Sequence, residues 1–163
     1  MIVVGIDPGT ANTGYGVVEG VGPQLRVLDH GVITTGAGAL ERRLAQIHAH
    51  VGDLLDAYMP DAMAIEELYF GANARTAFAV GQARGVILLA AGQRCITLHS
   101  YTPQQVKGAV CGQGRAGKEQ VSAMVARLLG MPGPPGADHA GDAMAVAICH
   151  LNRAPLAAAL ARA

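Results

Sequence analysis

Three β-strand signals come before the first helical signal, and this order restricts the fold more than any other feature of the sequence. The strands are predicted over residues 2–6, 14–18 and 25–34, where β-branched and apolar residues are bounded by turn formers. The first ends at Asp7-Pro8-Gly9, and a glycine- and proline-rich turn at residues 20–23 joins the other two. Short connections of this kind predict an antiparallel meander.

Strands and helices alternate in the next part of the chain. Apolar residues recur at helical spacing over residues 40–59, and a fourth strand is predicted over residues 62–68. A long helix over residues 72–91 and a fifth strand over residues 95–99 follow. Because helices separate these strands, the later part of the sheet is predicted to be parallel.

Helices dominate the remainder of the chain. Thr102 and Pro103 have the chemistry of an N-cap and first helical position, and they open a helix to residue 110. Further helices are predicted over residues 118–129 and from residue 138 to about 152, and the tail from about 155 is expected to be frayed or disordered. We therefore predict one α/β domain over residues 1–163, with a five-stranded mixed sheet flanked by helices.

The composition argues against several classes of protein. About half of the residues are hydrophobic, which is enough for a full core. The longest apolar run, around residues 85–92, is far shorter than the roughly 20 residues of a membrane helix, and the N-terminus has no signal-peptide pattern. Cys95, Cys111 and Cys149 have no CxxC spacing, so we expect buried thiols in a reducing cytoplasm.

Charge is segregated along the chain although the formal net charge is zero. Residues 1–67 hold nine acids and three arginines, whereas residues 68–137 hold seven bases and one acid. A basic surface beside an acidic pocket suits an enzyme that uses a metal to cut a polyanion. A chance grouping of charges on solvated helix faces is the alternative explanation.

Acidic residues stand at the ends of two predicted strands. Asp7 follows the first strand, where an acid is also a common turn former. Glu66 and Glu67 stand near the end of the fourth strand, where solvent-facing positions are the alternative. Because adjacent strand residues face opposite sides, at most one of these two glutamates shares a pocket with Asp7.

The last predicted helix begins with polar residues and continues as an apolar segment. His139 and Asp142 are i,i+3 neighbours, so both can contact one ion, whereas Asp138 is better explained as the N-cap. Phosphodiester hydrolysis needs hard oxygen ligands for Mg²⁺ or Mn²⁺. Three acids and a histidine drawn from two strand ends and one helix start suit that chemistry.

Four segments of the chain together resemble the RuvC family of Holliday-junction resolvases. They are GIDPGTANTGYG at residues 5–16, AIE at residues 64–66, GQARG at residues 81–85 and HAGDA at residues 139–143. They stand in the family's order and span nearly the whole chain. The resemblance implies a ribonuclease H-like fold and a homodimer that makes paired nicks in four-way junction DNA during recombination and repair. It also implies cooperation with the branch-migration proteins RuvA and RuvB.

The same resemblance implies roles for individual residues. The family's acids fall on Asp7, Glu66 and Asp142, and His139 stands at a position that carries aspartate or histidine. These four residues are expected to hold Mg²⁺ or Mn²⁺, with two ions per active site during catalysis. Because imidazole is a softer ligand than a carboxylate, His139 favours Mn²⁺.

Lys107 and Lys118, the only lysines of the chain, match the family's catalytically important lysines. They are assigned to phosphate positioning or to charge stabilisation near the scissile group. Tyr69 and Phe70 resemble an aromatic position that meets bases at the crossover, although Phe70 also suits the core.

Three arginines, Arg75, Arg84 and Arg115, are the other expected DNA contacts. Arg84 has the alternative role of bracing the long helix. The apolar stretch over residues 80–91 is expected to form part of a dimer interface or of the ordinary core.

Three other functions share parts of these patterns. The Asp7 segment also resembles the phosphate loop of actin-like ATPases and sugar kinases, which need a second lobe that one short domain does not provide. A junction-binding module without chemistry would keep buried acids at a cost in stability. The YqgF group, linked to ribosomal RNA processing, is disfavoured by the lysine pair and by the long region over residues 68–91.

Overall fold

One mixed sheet lies between two groups of helices in the computed structural model, which describes residues 1–67, 74–135 and 138–160. The elements in chain order are β1 (Ile2–Asp7), β2 (Asn12–Val21), β3 (Gln24–Thr34), α1 (Leu40–Tyr58), β4 (Ala62–Glu66), α2 (Ala74–Gln93), β5 (Leu98–Tyr101), α3 (Pro103–Cys111), α4 (Lys118–Leu128) and α5 (Asp138–Leu160).

The five strands lie in the order β3-β2-β1-β4-β5. The first three pair antiparallel, and β4 pairs in parallel with both β1 and β5. The predicted mixed sheet, with its antiparallel meander and later parallel strands, is therefore confirmed. The parallel pairing of β1 with β4 brings their carboxyl ends to the same edge, where Ile6 pairs with Ile65.

The fifth strand differs from its prediction. It begins at Leu98 and not at Cys95, because residues 94–96 close helix α2. Cys95 adopts a left-handed backbone (φ 55°), and the amide of Ile96 donates to the carbonyl of Ala91 at 3.1 Å, in a turn that satisfies the helix's last carbonyls. Cys95 is exposed there, so the expectation of three buried thiols is wrong for this residue. Cys111 is half-buried, Cys149 is buried, and all three cysteines are free.

The helix ends otherwise follow local chemistry. Thr102 caps α3 as predicted: its hydroxyl accepts from the amide of Gln105, whose side chain accepts from the Thr102 amide, completing a capping box. Helix α5 was expected to end near Asn152 but continues to Leu160. None of the described helices combines the length and apolar character that a membrane crossing requires.

Helix α5 is the centre of one of two apolar cores. Its residues 143–149 are fully buried against the sheet and against α3 and α4. The other core lies on the opposite face of the sheet, where α1 and α2 cover Val4, Ile6, Met63 and Ile65. The sheet is thus covered on both faces, as the near-continuous apolar strands β1 and β4 require.

Helix α5 lies directly on the backbone of β1 and β2, where glycines leave room for it. A Cβ atom at Gly5 would overlap the carbonyl oxygen of Ala143, and one at Gly14 would overlap the carbonyl oxygen of His139. The close approach places the first turn of α5 beside the carboxyl end of β1. These two contacts therefore set the position of His139 and Asp142 relative to Asp7.

We predict that Gly5→Ala destabilises the protein by about 1–3 kcal/mol or more, because overpacking forces α5 away from the sheet. Gly108→Ala, in α3, is the matched control, since a Cβ there meets no atom within 4 Å. That control should be neutral or stabilising by about 0.5–1 kcal/mol. Urea unfolding measures both, and equal stability of the two variants would contradict this account of the packing.

Candidate active site

Asp7 and Glu66 lie side by side at one edge of the sheet. Each is the last residue of its strand, and the strands pair in parallel with Ile6 opposite Ile65. Side chains alternate along a strand, so Glu66 shares the face of Ala64, which packs in the α5 core. Glu67 falls on the opposite face. The structure therefore selects Glu66 as the glutamate that accompanies Asp7.

The first turn of α5 adds His139 and Asp142 to this edge. Nδ1 of His139 lies 2.7 Å from Oδ2 of Asp7, so the two side chains share a hydrogen bond across the sheet–helix interface. Asp7 is the more buried partner, with 18% of its side chain exposed against 46% for His139. The i,i+3 spacing puts Asp142 on the same side of the helix.

Both lysines face the same pocket. Nζ of Lys118 lies 3.6 Å from Oδ2 of Asp142, an ion pair between the starts of α4 and α5. A cavity of about 270 Å³ is lined by Glu66, Pro103, Val106, Lys107, Lys118, Val121, Asp142 and Ala145. The pocket therefore brings together acids and bases that are far apart in the sequence: Glu66 from β4 and Asp142 from α5 face Lys107 from α3 and Lys118 from α4.

Burial and neighbouring carboxylates raise the pKa of both strand-end acids. The pKa of Glu66 is raised to about 7, first by burial and then by the charges of Asp7 and Asp142, while Lys107 opposes the shift. The pKa of Asp7 is also raised, mainly by burial, although the hydrogen bond and charge of His139 lower it. With His139 neutral, the three acids of the site outnumber its two lysines.

A divalent cation fits this electrostatic demand. Carboxylate oxygens are the ligands that Mg²⁺ and Mn²⁺ prefer, and an imidazole is acceptable to Mn²⁺. Among the residues that the structure describes, no group of three or more histidines, cysteines, aspartates or glutamates is gathered closely enough to enclose a metal ion. The four-residue ligand set therefore stays a prediction, and Oδ2 of Asp7 is engaged by His139 in this arrangement.

The other predicted DNA contacts are more scattered. Arg115 is exposed on the loop between α3 and α4, three residues before Lys118. Tyr69 and Phe70 lie outside the described residues, as does the side chain of Arg75. Arg84 makes hydrogen bonds inside the protein: Nη1 donates to the Glu66 carbonyl and Nη2 to the Ser100 hydroxyl, each at 2.7 Å. These bonds support the alternative role of Arg84, in which it braces the long helix instead of contacting DNA.

The apolar wall of the pocket did not emerge from the sequence. Val106 and Val121 line it between the two lysines. Val121 is three residues after Lys118, so helical spacing places both on one face of α4. That spacing was the available signal, but it identifies a pocket wall only when the position of the neighbouring helix is known.

Comparison with known proteins identifies the family. The family model described as "Crossover junction endodeoxyribonuclease RuvC" matches residues 3–150. A protein of that name from Moorella thermoacetica is 52% identical over 156 residues, covering 95% of this chain and 93% of its own length. The chain belongs to the RuvC family.

Solved structures agree with this assignment. The Thermus thermophilus RuvC structure superposes with a TM-score of 0.89 and 38% identity, covering 96% of this chain and 97% of that one. T. thermophilus RuvC in complex with a Holliday junction substrate also has a TM-score of 0.89, at 35% identity, with 96% of each chain covered. The fold is ribonuclease H-like, and the function is that of the family: a divalent-metal-dependent nuclease that resolves Holliday junctions.

We predict that Glu66→Gln stabilises the metal-free protein at high pH. In the folded protein the pKa of Glu66 is raised from its ordinary value of 4.5 to about 7, so the folded state holds a proton between about pH 4.5 and 7 that the unfolded state has lost. Wild-type stability therefore falls as pH rises through that window, and the glutamine variant avoids the loss. After discounting for solvent screening, we expect an advantage of about 1–2 kcal/mol at pH 8 and little at pH 5.

Thermal or urea unfolding in EDTA measures this difference. Glu67→Gln, one residue along on the opposite face, is the matched control and should show no comparable gain. Lower stability of Glu66→Gln than of wild type at pH 8 would contradict the predicted repulsion between the site's acids.

Proposed function

We propose that Asp7, Glu66, Asp142 and His139 form the nuclease active site and hold Mg²⁺ or Mn²⁺, two ions per site during catalysis. The observation that carries the proposal is the convergence of Asp7 and Glu66, from adjacent parallel strand ends, with the start of α5. The raised pKa of Glu66 supports it, because a bound cation removes the cost of gathering the acids. A metal held by these residues would supply Lewis acidity and activate a water for in-line cleavage of a phosphodiester.

The chain's own residues prepare the substrate and the site. Asp7 is the most central acid, and its hydrogen bond to His139 orients the imidazole toward the strand edge. Lys107 and Lys118 stand on the other side of the pocket and stabilise negative charge near the scissile phosphate. Tyr69, Phe70, Arg75 and Arg115 are proposed to contact the junction beyond the cleaved bond.

The partners follow from the geometry of the substrate. A four-way junction has a two-fold axis, and paired symmetric nicks require two active sites related by such an axis. We therefore propose a homodimer. The resemblance to the RuvC family adds the proposal that it acts on junctions with RuvA and RuvB in the bacterial cytoplasm. The free state of all three cysteines is compatible with that reducing compartment.

Helix α2 offers a surface for the dimer. Within residues 80–91, Ala83, Ile87, Ala90 and Ala91 are buried in the core, whereas Leu88 and Leu89 are exposed and available to a partner. Phe78 is 70% exposed and lies eleven residues before Leu89, which is three helical turns and hence the same face. Exposed apolar side chains in one row are typical of an interaction surface.

Cleavage assays test the proposed site. With labelled mobile junctions in Mn²⁺, Mg²⁺ or EDTA, wild type should make paired nicks confined to the junction in metal alone. Asp7→Asn should reduce cutting at least about 1000-fold while junction binding stays within about twofold, since binding rests on basic residues and shape. Lys118→Ala should lower the rate more than the affinity, and Mn²⁺ should support faster turnover than Mg²⁺.

Asp53→Asn is the matched control for this assay, because Asp53 is an exposed aspartate of α1. It should cut as fast as wild type. Loss of junction binding together with cutting in Asp7→Asn would refute the proposed division between metal ligands and DNA contacts. Equal or faster turnover in Mg²⁺ would refute the Mn²⁺ preference alone.

The double change Phe78→Ser with Leu89→Ser tests the dimer surface. Wild type is expected to sediment as a dimer, and the variant should dissociate at least about tenfold more readily because each change removes buried apolar area from the interface. Val21→Ser is the control, as an exposed apolar residue of β2 outside α2. An unchanged mass of the double variant in analytical ultracentrifugation would place the interface elsewhere.

A further inference from the structure

Arg84 of α2 contacts the end of β4 from the face of the sheet that α1 and α2 cover. Its Nη1 donates to the carbonyl oxygen of Glu66 at 2.7 Å, and its Nη2 donates to the hydroxyl of Ser100 on β5, also at 2.7 Å. One guanidinium thus connects α2 to both β4 and β5. The planar fork of arginine suits two acceptors held side by side, which a lysine ammonium does not match.

The guanidinium lies on the opposite side of the sheet from the active site. Helix α2 packs in the core that contains Ile65, whereas the Glu66 side chain shares the α5 face with Ala64. The electrostatic environment of Arg84 supports this placement. Burial lowers the pKa of Arg84, and the carboxylate that partly offsets this effect is Glu67. Arg84 is not among the groups that shift the pKa of Glu66. Its influence on Glu66 therefore passes through the backbone.

The Glu66 carbonyl needs this partner. The last β4–β5 ladder bond runs from the amide of Glu67 to the carbonyl of Tyr101 at 2.8 Å, and the strand ends there. A half-buried carbonyl at a strand end is costly when it has no donor. Holding that carbonyl restricts the rotation of the Glu66 peptide, and with it the direction of the Cα–Cβ bond toward Asp7 and Asp142.

We propose that Arg84 is a positioning residue: it holds the Glu66 backbone from the far face of the sheet so that the Glu66 carboxylate keeps its place in the metal site. This inference rests on the proposed function of Glu66. It departs from the expectation that Arg84 contacts DNA phosphate, because both of its terminal nitrogens are used within the protein. Partners that orient a ligand typically change metal affinity or activity about 10–100-fold when removed.

The test uses the full-length protein with Arg84→Gln, Arg84→Lys and Ser100→Ala. Three quantities are measured: junction affinity in EDTA, single-turnover cutting rate at saturating protein, and Mn²⁺ affinity of the DNA-free protein by calorimetry. Arg84→Gln should lower the cutting rate about tenfold or more and weaken Mn²⁺ binding by a similar factor. Arg84→Lys should fall between wild type and the glutamine variant, because one donor remains. Junction affinity should stay within about twofold for both.

Ser100→Ala removes only the second acceptor, at an exposed position. It keeps the proposal testable if Arg84→Gln folds poorly, and it should give smaller shifts in the same direction, about two- to threefold. Arg94→Lys is the matched control: Arg94 braces the end of α2 to Asp56 of α1 at 2.6 Å, near Asp61 at the start of β4 and not near Glu66 at its end. It is expected to lower stability without changing Mn²⁺ affinity.

A phosphate contact by Arg84 would give the opposite pattern. Arg84→Gln would then weaken junction binding and reduce its salt dependence by about one ion, Arg84→Lys would retain binding, and Mn²⁺ affinity of the free protein would not change. That result would overturn the positioning role. Failure of the proposed function is separate, because it would appear as cutting by Asp7→Asn or as no metal-dependent cutting by wild type.

Discussion

The rest of the structure depends on the close backbone contact between α5 and the glycines of β1 and β2. Gly5 and Gly14 bring the helix backbone against the strand backbone at Ala143 and His139. A side chain at either position would separate the two layers. Because the helix cannot move outward without losing its buried residues 143–149, its first turn is held beside Asp7. Packing of the core and geometry of the site are therefore one constraint.

The same packing imposes an electrostatic cost. It gathers Asp7, Glu66 and Asp142 in a partly buried region, and the pKa of Glu66 rises to about 7 in response. Lys107 and Lys118 offset part of that charge from α3 and α4. A site that is destabilised without its cation is poised to bind one, since the binding energy of the metal includes relief of the repulsion. Arg84, on the other face of the sheet, holds the Glu66 backbone in place by its hydrogen bond to the Glu66 carbonyl, so that the carboxylate stays beside the other acids despite their repulsion.

Prediction from the sequence succeeded where short-range patterns carry the information. The order of elements, the mixed sheet and the cap at Thr102 follow from periodicity, alternation and turn chemistry. Alternation alone limited the site to one of Glu66 and Glu67, and the family resemblance pointed to Glu66. It failed at Cys95 and at the end of α5. The run over residues 95–99 has strand composition, but its first residues are taken by the closing turn of α2, whose hydrogen bonds to Ala91 and Gly92 outweigh strand propensity.

The sequence by itself determined which residue types are available for chemistry and roughly where they stand along each element. The motifs over residues 5–16, 64–66, 81–85 and 139–143 were enough for family and function, because such spacings are local and specific. Only the tertiary structure decided that Arg84 bonds to the Glu66 carbonyl, that Lys118 pairs with Asp142 and that His139 meets Asp7. These contacts join residues 18, 24 and 132 positions apart. Chain separations of that size are closed by the packing of α5 and α2 on the sheet, and no local pattern encodes them.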